Sequence, residues 1–352
     1  MPSVWRGAIK VTLAWELDRQ KLRQWLEVLG RDFEVIAPVK SHGEAIFASV
    51  SDVSQVTLDY ENTLVPPKEF FLPPTETMFS FTTNKDGFNI VLPEEADRRR
   101  VIFGIRPCDV TALSILDRVF GGDQRDEYYL SKREKTTLVA LGCNQPAARC
   151  FCDSLGAGPS LSDNFDVILT ELDDSYLVEV GSERGEQLIG KAPALFHEAG
   201  GEARKRKERV VKQAKKLTAK PVDPLEVARR MEIQFNDSRW AQLGDRCMEC
   251  GGCTYLCPTC YCFDVADRVE DGKGCRLRHW DSCLLRGFTR MAGGLNPRES
   301  KEARIKQRFY HKWDYFVERF GVLQCVGCGR CSETALCHID WKEVFQSVTG
   351  ES

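Results

Sequence analysis

Hydrophobic positions in the first two hundred residues follow two rhythms. Leu22, Trp25, Leu26 and Leu29 recur at the spacing that gathers them on one face of a helix, and Phe33–Val39 then forms a compact apolar run of the strand type. Val101–Ile105, Leu138–Leu141, Phe165–Leu169 and Tyr176–Val180 repeat the strand signal, and Leu113–Phe120 reads as a helix between the first two. Short apolar runs alternating with helical patterns predict a mixed α/β domain over residues 1–200.

The pattern changes at RKRKERVVKQAKKLTAK, residues 204–220, which carries nine Lys or Arg and one Glu before Pro221 and Pro224. This composition predicts an exposed helix or linker over 201–224, with the prolines as a boundary. A basic run of this kind is also able to dock an acidic subunit face or nucleic acid. Beyond it Leu225–Trp240 and Lys301–Phe320 read as helices, so residues 225–352 are expected to form a helix-rich domain.

Composition narrows the classes. With 42% hydrophobic and 29% charged residues among 352, the chain can bury a sizeable core and is not globally disordered. A formal charge of −3 gives no overall attraction to nucleic acid or an anionic membrane. The first residues lack the pattern of a secretory signal, and no stretch approaches the ~20 apolar residues of a membrane span. A soluble, cytoplasmic chain is the expectation.

The 16 cysteines do not suit a reducing compartment as structural disulfides, which makes most of them candidate metal ligands. Twelve lie between Cys247 and Cys337; Cys108, Cys143, Cys150 and Cys152 stand apart in the first half. Cys247-x2-Cys250-x2-Cys253-x3-Cys257-Pro258 has the bacterial-type [4Fe-4S] spacing, in which three thiolates hold three corners of a cubane and the fourth reaches a second one. Cys325-x2-Cys328-x2-Cys331 repeats the triplet, but its fourth cysteine, Cys337, follows five intervening residues, with His338 where proline is usual. Applying the ferredoxin crossover assigns Cys247, Cys250, Cys253 and Cys337 to one cubane and Cys325, Cys328, Cys331 and Cys257 to the other. Structural zinc is the alternative for cysteine pairs of this kind. A cubane with four thiolates is dianionic, and Arg246, Arg276, Arg278, Arg286, Arg330 and the 304–312 stretch are the basic residues available to offset it.

Cys260, Cys262, Cys275 and Cys283 form a further set, readable as an additional metal site or as small buried hydrophobes. Cys108 and Cys143 each follow a predicted strand, and loops after successive strands meet at one edge of an α/β sheet. With Cys150 and Cys152 they are therefore candidates for a third cluster, while Gly156-Ala157-Gly158-Pro159 reads as a tight turn under Cys152. No nucleophile elbow, phosphate loop or dinucleotide fingerprint is present, and the five His are scattered.

The ordered set PPKEFFLPPTE, FGIRPCD, LGCN, CFCDSLGAGP, YLVEVGSERG, CMECGGCTYLCPTCYCFDV, RHWDSC and CVGCGRC resembles the beta subunit of soluble NiFe hydrogenases, the sulfhydrogenases. It is equally similar to the corresponding iron–sulfur subunit of anaerobic sulfite reductase, and to the four-iron dicluster subunits of NADH-linked heterodisulfide reductase systems. The resemblance spans about residues 60–340. It implies a non-catalytic electron-transfer subunit. Such a subunit passes single electrons between a catalytic or further iron–sulfur subunit on one side and a flavin/NAD(P)H-binding subunit on the other. The family's ligand roles fall on Cys247, Cys250, Cys253, Cys257, Cys325, Cys328 and Cys331 directly, and on Cys337 by role without the spacing. A zinc-stabilised interaction or nucleic-acid-binding protein is the rival reading, and a chain that itself binds flavin is a third.

Overall fold

The computed structural model describes residues 14–84, 87–93, 98–218, 223–334, 336–337 and 339–350. His338 and Pro221, both singled out above, lie outside the described residues. Twelve strands are present among the described residues: β1 (Ala14–Asp18), β2 (Glu34–Ser41), β3 (Glu44–Ser49), β4 (Thr75–Asn84), β5 (Gly87–Val91), β6 (Arg100–Ile105), β7 (Thr136–Leu141), β8 (Val167–Glu171), β9 (Ser175–Val180), β10 (Phe196–Glu198), β11 (Phe263–Glu270) and β12 (Lys273–Trp280). Eight of them form one sheet in the order β10-β1-β9-β8-β7-β6-β2-β3. Its centre, β2-β6-β7-β8, is parallel.

Alternate residues of these central strands feed two cores. Val101, Phe103, Val139 and Leu141 pack with Trp25, Leu26 and Leu29 of the helix Leu22–Asp32. Ile102, Leu138, Ala140 and Ile168 point the other way, onto Leu113, Leu116 and Leu130. Both faces are covered, so the strands read as unbroken apolar runs and not as alternating ones. Burying a side chain such as Trp25 or Phe103, both at 0% exposure, stabilises by roughly 1.5–3 kcal/mol each before entropy is counted. The helix Pro107–Phe120 starts with proline at its first position, where no amide donor is needed, and ends at Gly121.

Strands β6, β7 and β8 run parallel and end at the same edge of the sheet; beyond that edge Cys108 lies in the first turn of the helix Pro107–Phe120 and Cys143 in the loop after β7. Gly104 (φ +83°) interrupts the β6–β7 register between Phe103 and Ile105, which bends the chain as it leaves the sheet toward Arg106 and Cys108.

The second half contains the helices Pro224–Ile233, Arg239–Arg246, Lys301–Tyr310, Phe316–Phe320 and Trp341–Thr349, so the stretch read as one helix over Leu225–Trp240 is broken after Ile233. Trp240, Phe309, Tyr310, Trp313, Trp341 and Phe345 form its aromatic core. A π-helical turn, His311–Tyr315, widens the long helix and turns both Lys312 and Trp313 inward. One part departs from the helical expectation. Residues 263–280 make the hairpin β11–β12, whose two-residue turn is Asp271-Gly272 with both φ positive, and β12 pairs with β4 in a four-stranded sheet. An Asp-Gly pair between strands is a strong hairpin signal, and the helical reading of this interval passes over it.

The basic run folds as the helix Gly201–Leu217. Arg206 pairs with Glu16 and Asp174, Lys207 with Glu179 and Lys215 with Asp153, so part of its charge is answered by acidic residues of the same chain.

Candidate metal centres

The two triplet turns and Cys337 converge. Cys247 ends the helix Arg239–Arg246, and Cys253 lies in the short turn of helix that Gly251 opens in a left-handed conformation (φ +72°). Cys247, Cys250, Cys253 and Cys337 line one small, partly open cavity, together with Cys331, Arg308, Leu284, Ile305 and Ile339. Cys257 does not line that cavity and is an electrostatic neighbour of Cys325, Cys328 and Cys331. The cavity thus holds the four cysteines expected of the first cubane and also Cys331 of the expected second set.

Burial raises the thiols of Cys253 and Cys325 to about 12, so thiolates there require a strong cation beside the sulfurs. Lys68, Lys312 and Arg308 are 3%, 2% and 3% exposed, and none has a carboxylate partner among the described residues. Lys68 Nζ donates to the carbonyls of Cys257 (2.8 Å) and Cys260 (2.9 Å) and lies over the Trp280 ring. Lys312 Nζ donates to Thr259 Oγ1 at 3.0 Å, and that hydroxyl is 3.3 Å from Cys257 Sγ. Arg308 Nη2 donates to the Cys253 carbonyl at 3.2 Å and the side chain hydrogen-bonds to Cys331, while its Nε has no partner. Burial alone would lower Lys312, yet the sulfurs of Cys257, Cys260 and Cys325 raise it. Three buried cations without carboxylates would cost several kcal/mol each unless an anion sits among them. Two dianionic four-thiolate cages fit that requirement and the donor set.

The amino-terminal cysteines press against the second turn. Phe151 N donates to the Gly327 carbonyl at 2.9 Å, and Cys150 Sγ and Asn62 Nδ2 both donate to the Cys328 carbonyl, at 3.4 and 3.0 Å. Gly327 and Gly329 both have positive φ, and a Cβ at either would stand 2.7 or 2.9 Å from backbone atoms of Phe151 or Arg149. Glycine there serves the turn and also this close approach. Arg330 locks the junction with a bidentate pair to Asp109 (2.7 and 2.9 Å) and a bond to the Thr63 carbonyl at 2.8 Å. Cys143, Cys150 and Cys152 are electrostatic neighbours of one another, and Cys108 faces Cys152 and Cys328. Gly156 (φ +64°) turns the chain beneath Cys152, whose carbonyl accepts from Ala157 N at 3.0 Å.

Of the basic residues named from the sequence, Arg276, Arg278 and Arg286 pair with carboxylates away from the two cages. Lys68, Asn62 and Asp109 carried no sequence signal, because their roles depend on contacts made 189 to 266 residues away along the chain. Cys275 is separated from the rest of its set: it sits in β12 opposite Ser80, roughly 20 Å of strand from Asp281. Cys260, Cys262 and Cys283 stay together.

These features define an iron–sulfur protein of the ferredoxin type, and the description "4Fe-4S dicluster domain" matches residues 246–339. Over 324 residues the chain is 33% identical to the sulfhydrogenase 2 subunit beta of Pyrococcus furiosus, covering 92% of this chain and 93% of that one. The chain belongs to the sulfhydrogenase beta-subunit family, as an oxidoreductase electron-transfer protein. No described helix is long and apolar enough to cross a membrane.

Proposed function

We propose that this chain is a cytoplasmic, non-catalytic relay subunit. It carries single electrons between a hydrogenase, sulfite reductase or heterodisulfide reductase-type partner on one side and a flavin/NAD(P)H-binding subunit on the other. Cys247, Cys250, Cys253 and Cys337 hold one [4Fe-4S] cluster; Cys325, Cys328, Cys331 and Cys257 hold another. Cys108, Cys143, Cys150 and Cys152 hold a third. Each cluster supplies one-electron outer-sphere redox chemistry. Lys68, Lys312 and Arg308 neutralise part of the charge an added electron brings. That these three buried cations are grouped at the cysteine turns with no carboxylate ion pair among the described residues is the observation that carries the reading.

Contact supports an order for the relay. Cys331 belongs to the second quartet yet lines the first cavity, and Cys150 bonds to the Cys328 carbonyl. The second site therefore stands between the other two.

Anaerobic purification tests the proposal. A brown protein absorbing near ~400 nm and bleaching on reduction is expected, with Cys337→Ser and Cys150→Ser each losing about four irons and four sulfides. A colourless, zinc-containing protein overturns it.

A further inference from the structure

Thr259 stands where two stretches of the proposed second site meet, Cys257-Pro258 on its own turn and Gln324-Cys325 opposite. Its side chain is 0% exposed, so bulk water does not compete for its hydroxyl. The turn that carries it is held on both sides. Cys260 N donates to the Cys257 carbonyl at 3.3 Å, Lys68 Nζ bonds to the carbonyls of Cys257 and Cys260, and Gln324 Nε2 donates to the Thr259 carbonyl at 2.9 Å. The backbone is thereby fixed, and the hydroxyl proton is left to choose among its neighbours.

Three groups surround Thr259 Oγ1. The Gln324 carbonyl lies at 2.6 Å and only accepts, Lys312 Nζ lies at 3.0 Å and only donates, and Cys257 Sγ lies at 3.3 Å. A Cys257 thiol donates to the hydroxyl, which then gives its own proton to Gln324. An iron-bound Cys257 has no proton to give and becomes an acceptor. Two acceptors then face one hydroxyl proton. Lys312 settles the contest, because its Nζ carries three protons and also stands 3.5 Å from the Gln324 carbonyl, a gap that a small turn of the lysine head closes. Taking over that carbonyl releases the hydroxyl to the sulfur. At the first triplet turn the comparable contact is the backbone amide of Glu249 on Cys247 Sγ at 3.5 Å, which has no rotor with which to respond.

We propose that Thr259 is a positioning residue for the second cluster, a hydroxyl switch that links Lys312 to the Cys257 sulfur and makes that cluster easier to reduce. An added electron places more negative charge on the thiolates, which strengthens an O–H···S bond in a dry site. No proton is gained or lost: Lys312 and Thr259 keep theirs, and only hydrogen bonds are exchanged. The inference rests on the proposed assignment of Cys257 to a [4Fe-4S] cluster. In the proposed order that cluster stands between the other two, so its potential sets the level through which each electron passes.

The test is an anaerobic, EPR-monitored redox titration of the full chain as wild type, Thr259→Val and Thr259→Ser, each assayed for iron and sulfide. Valine keeps the shape and loses the hydroxyl, whereas serine keeps the hydroxyl. Thr259→Val is expected to retain its iron and to lower one midpoint potential by the equivalent of a roughly tenfold loss in the reduction equilibrium, about 59 mV for one electron, with the others in place. Thr259→Ser is expected to stay near wild type. In a Lys312→Met background the valine change should move that midpoint much less, since without Lys312 the hydroxyl proton stays with Gln324. An unmoved midpoint in fully loaded Thr259→Val overturns the inference, as does an equal shift in Thr259→Ser or an undiminished one in the Lys312→Met background. Thr259→Ala provides the same comparison should Thr259→Val lose iron, and loss of about four irons in both overturns the switch by making the hydroxyl a support for assembly. Wild type that holds no iron sinks the cluster assignment itself, a result distinct from a loaded protein whose potential does not move.

Discussion

Asp109→Asn tests the junction between the sheet and the second cysteine turn. The Arg330 and Asp109 side chains are 3% and 1% exposed, and the guanidinium meets both carboxylate oxygens. Removing one partner of a buried pair costs about 3–5 kcal/mol, because the remaining charge is left uncompensated. Asparagine keeps one acceptor oxygen for Arg330, which sets the expectation near the lower end, about 3 kcal/mol. For a domain of about 200 residues this corresponds to a fall in Tm of roughly 6–12 °C. Circular dichroism under anaerobic conditions, with iron measured before and after, checks it. Replacing both partners, Asp109→Leu with Arg330→Met, removes the orphaned charge and should recover part of the loss. Recovery stays incomplete because the Thr63 carbonyl loses its donor. An Asp109→Asn protein melting within about 2 °C of wild type would refute the reasoning. Arg330 would then be neutralised by the neighbouring thiolates and not by Asp109.

Three further outcomes are expected. Gly327→Ala forces a Cβ within 2.7 Å of the Phe151 carbonyl carbon at φ +63°, and should destabilise by about 2–4 kcal/mol and loosen the junction, read as faster hydrogen exchange at Phe151 N. Lys312→Met removes a buried positive charge beside Cys257 and Cys325; at an effective dielectric of ~20 and ~6–8 Å this is about 2–3 kcal/mol, or roughly 100 mV. An EPR-monitored titration should show the second cluster becoming harder to reduce, and an unchanged potential would contradict the charge argument. His311 is held down to about 4 by burial first, then by Lys312, Arg298 and Arg319. The unfolded chain therefore binds its proton first as pH falls, so stability should decline from about pH 6.5 to 4 by about 2–3 kcal/mol and then level off. His311→Gln should flatten that part of the stability profile.

The strands β2, β6, β7 and β9 and the helices Leu22–Asp32 and Lys301–Tyr310 are legible because each is a local run with its own period. The hairpin β11–β12 is legible in principle through Asp271-Gly272, but a reading of the surrounding interval for helical period alone misses it. Cysteine spacing carries the proposed grouping into two quartets, since the triplet turns are local and the crossover is a rule of their chemistry. Cys337 joins the first cavity despite its irregular spacing; only the fold could decide that.

What the sequence determined by itself was composition at short range: which segments alternate, which thiols are close enough to share a turn, and which family the ordered motifs resemble. Tertiary structure decided which distant charges meet those thiols. Lys68 reaches the turn at Cys257, Asn62 reaches Cys328 and Asp109 clamps Arg330. No periodicity encodes such pairings, because a buried charge is stabilised by whatever packs around it in space and not by its neighbours along the chain.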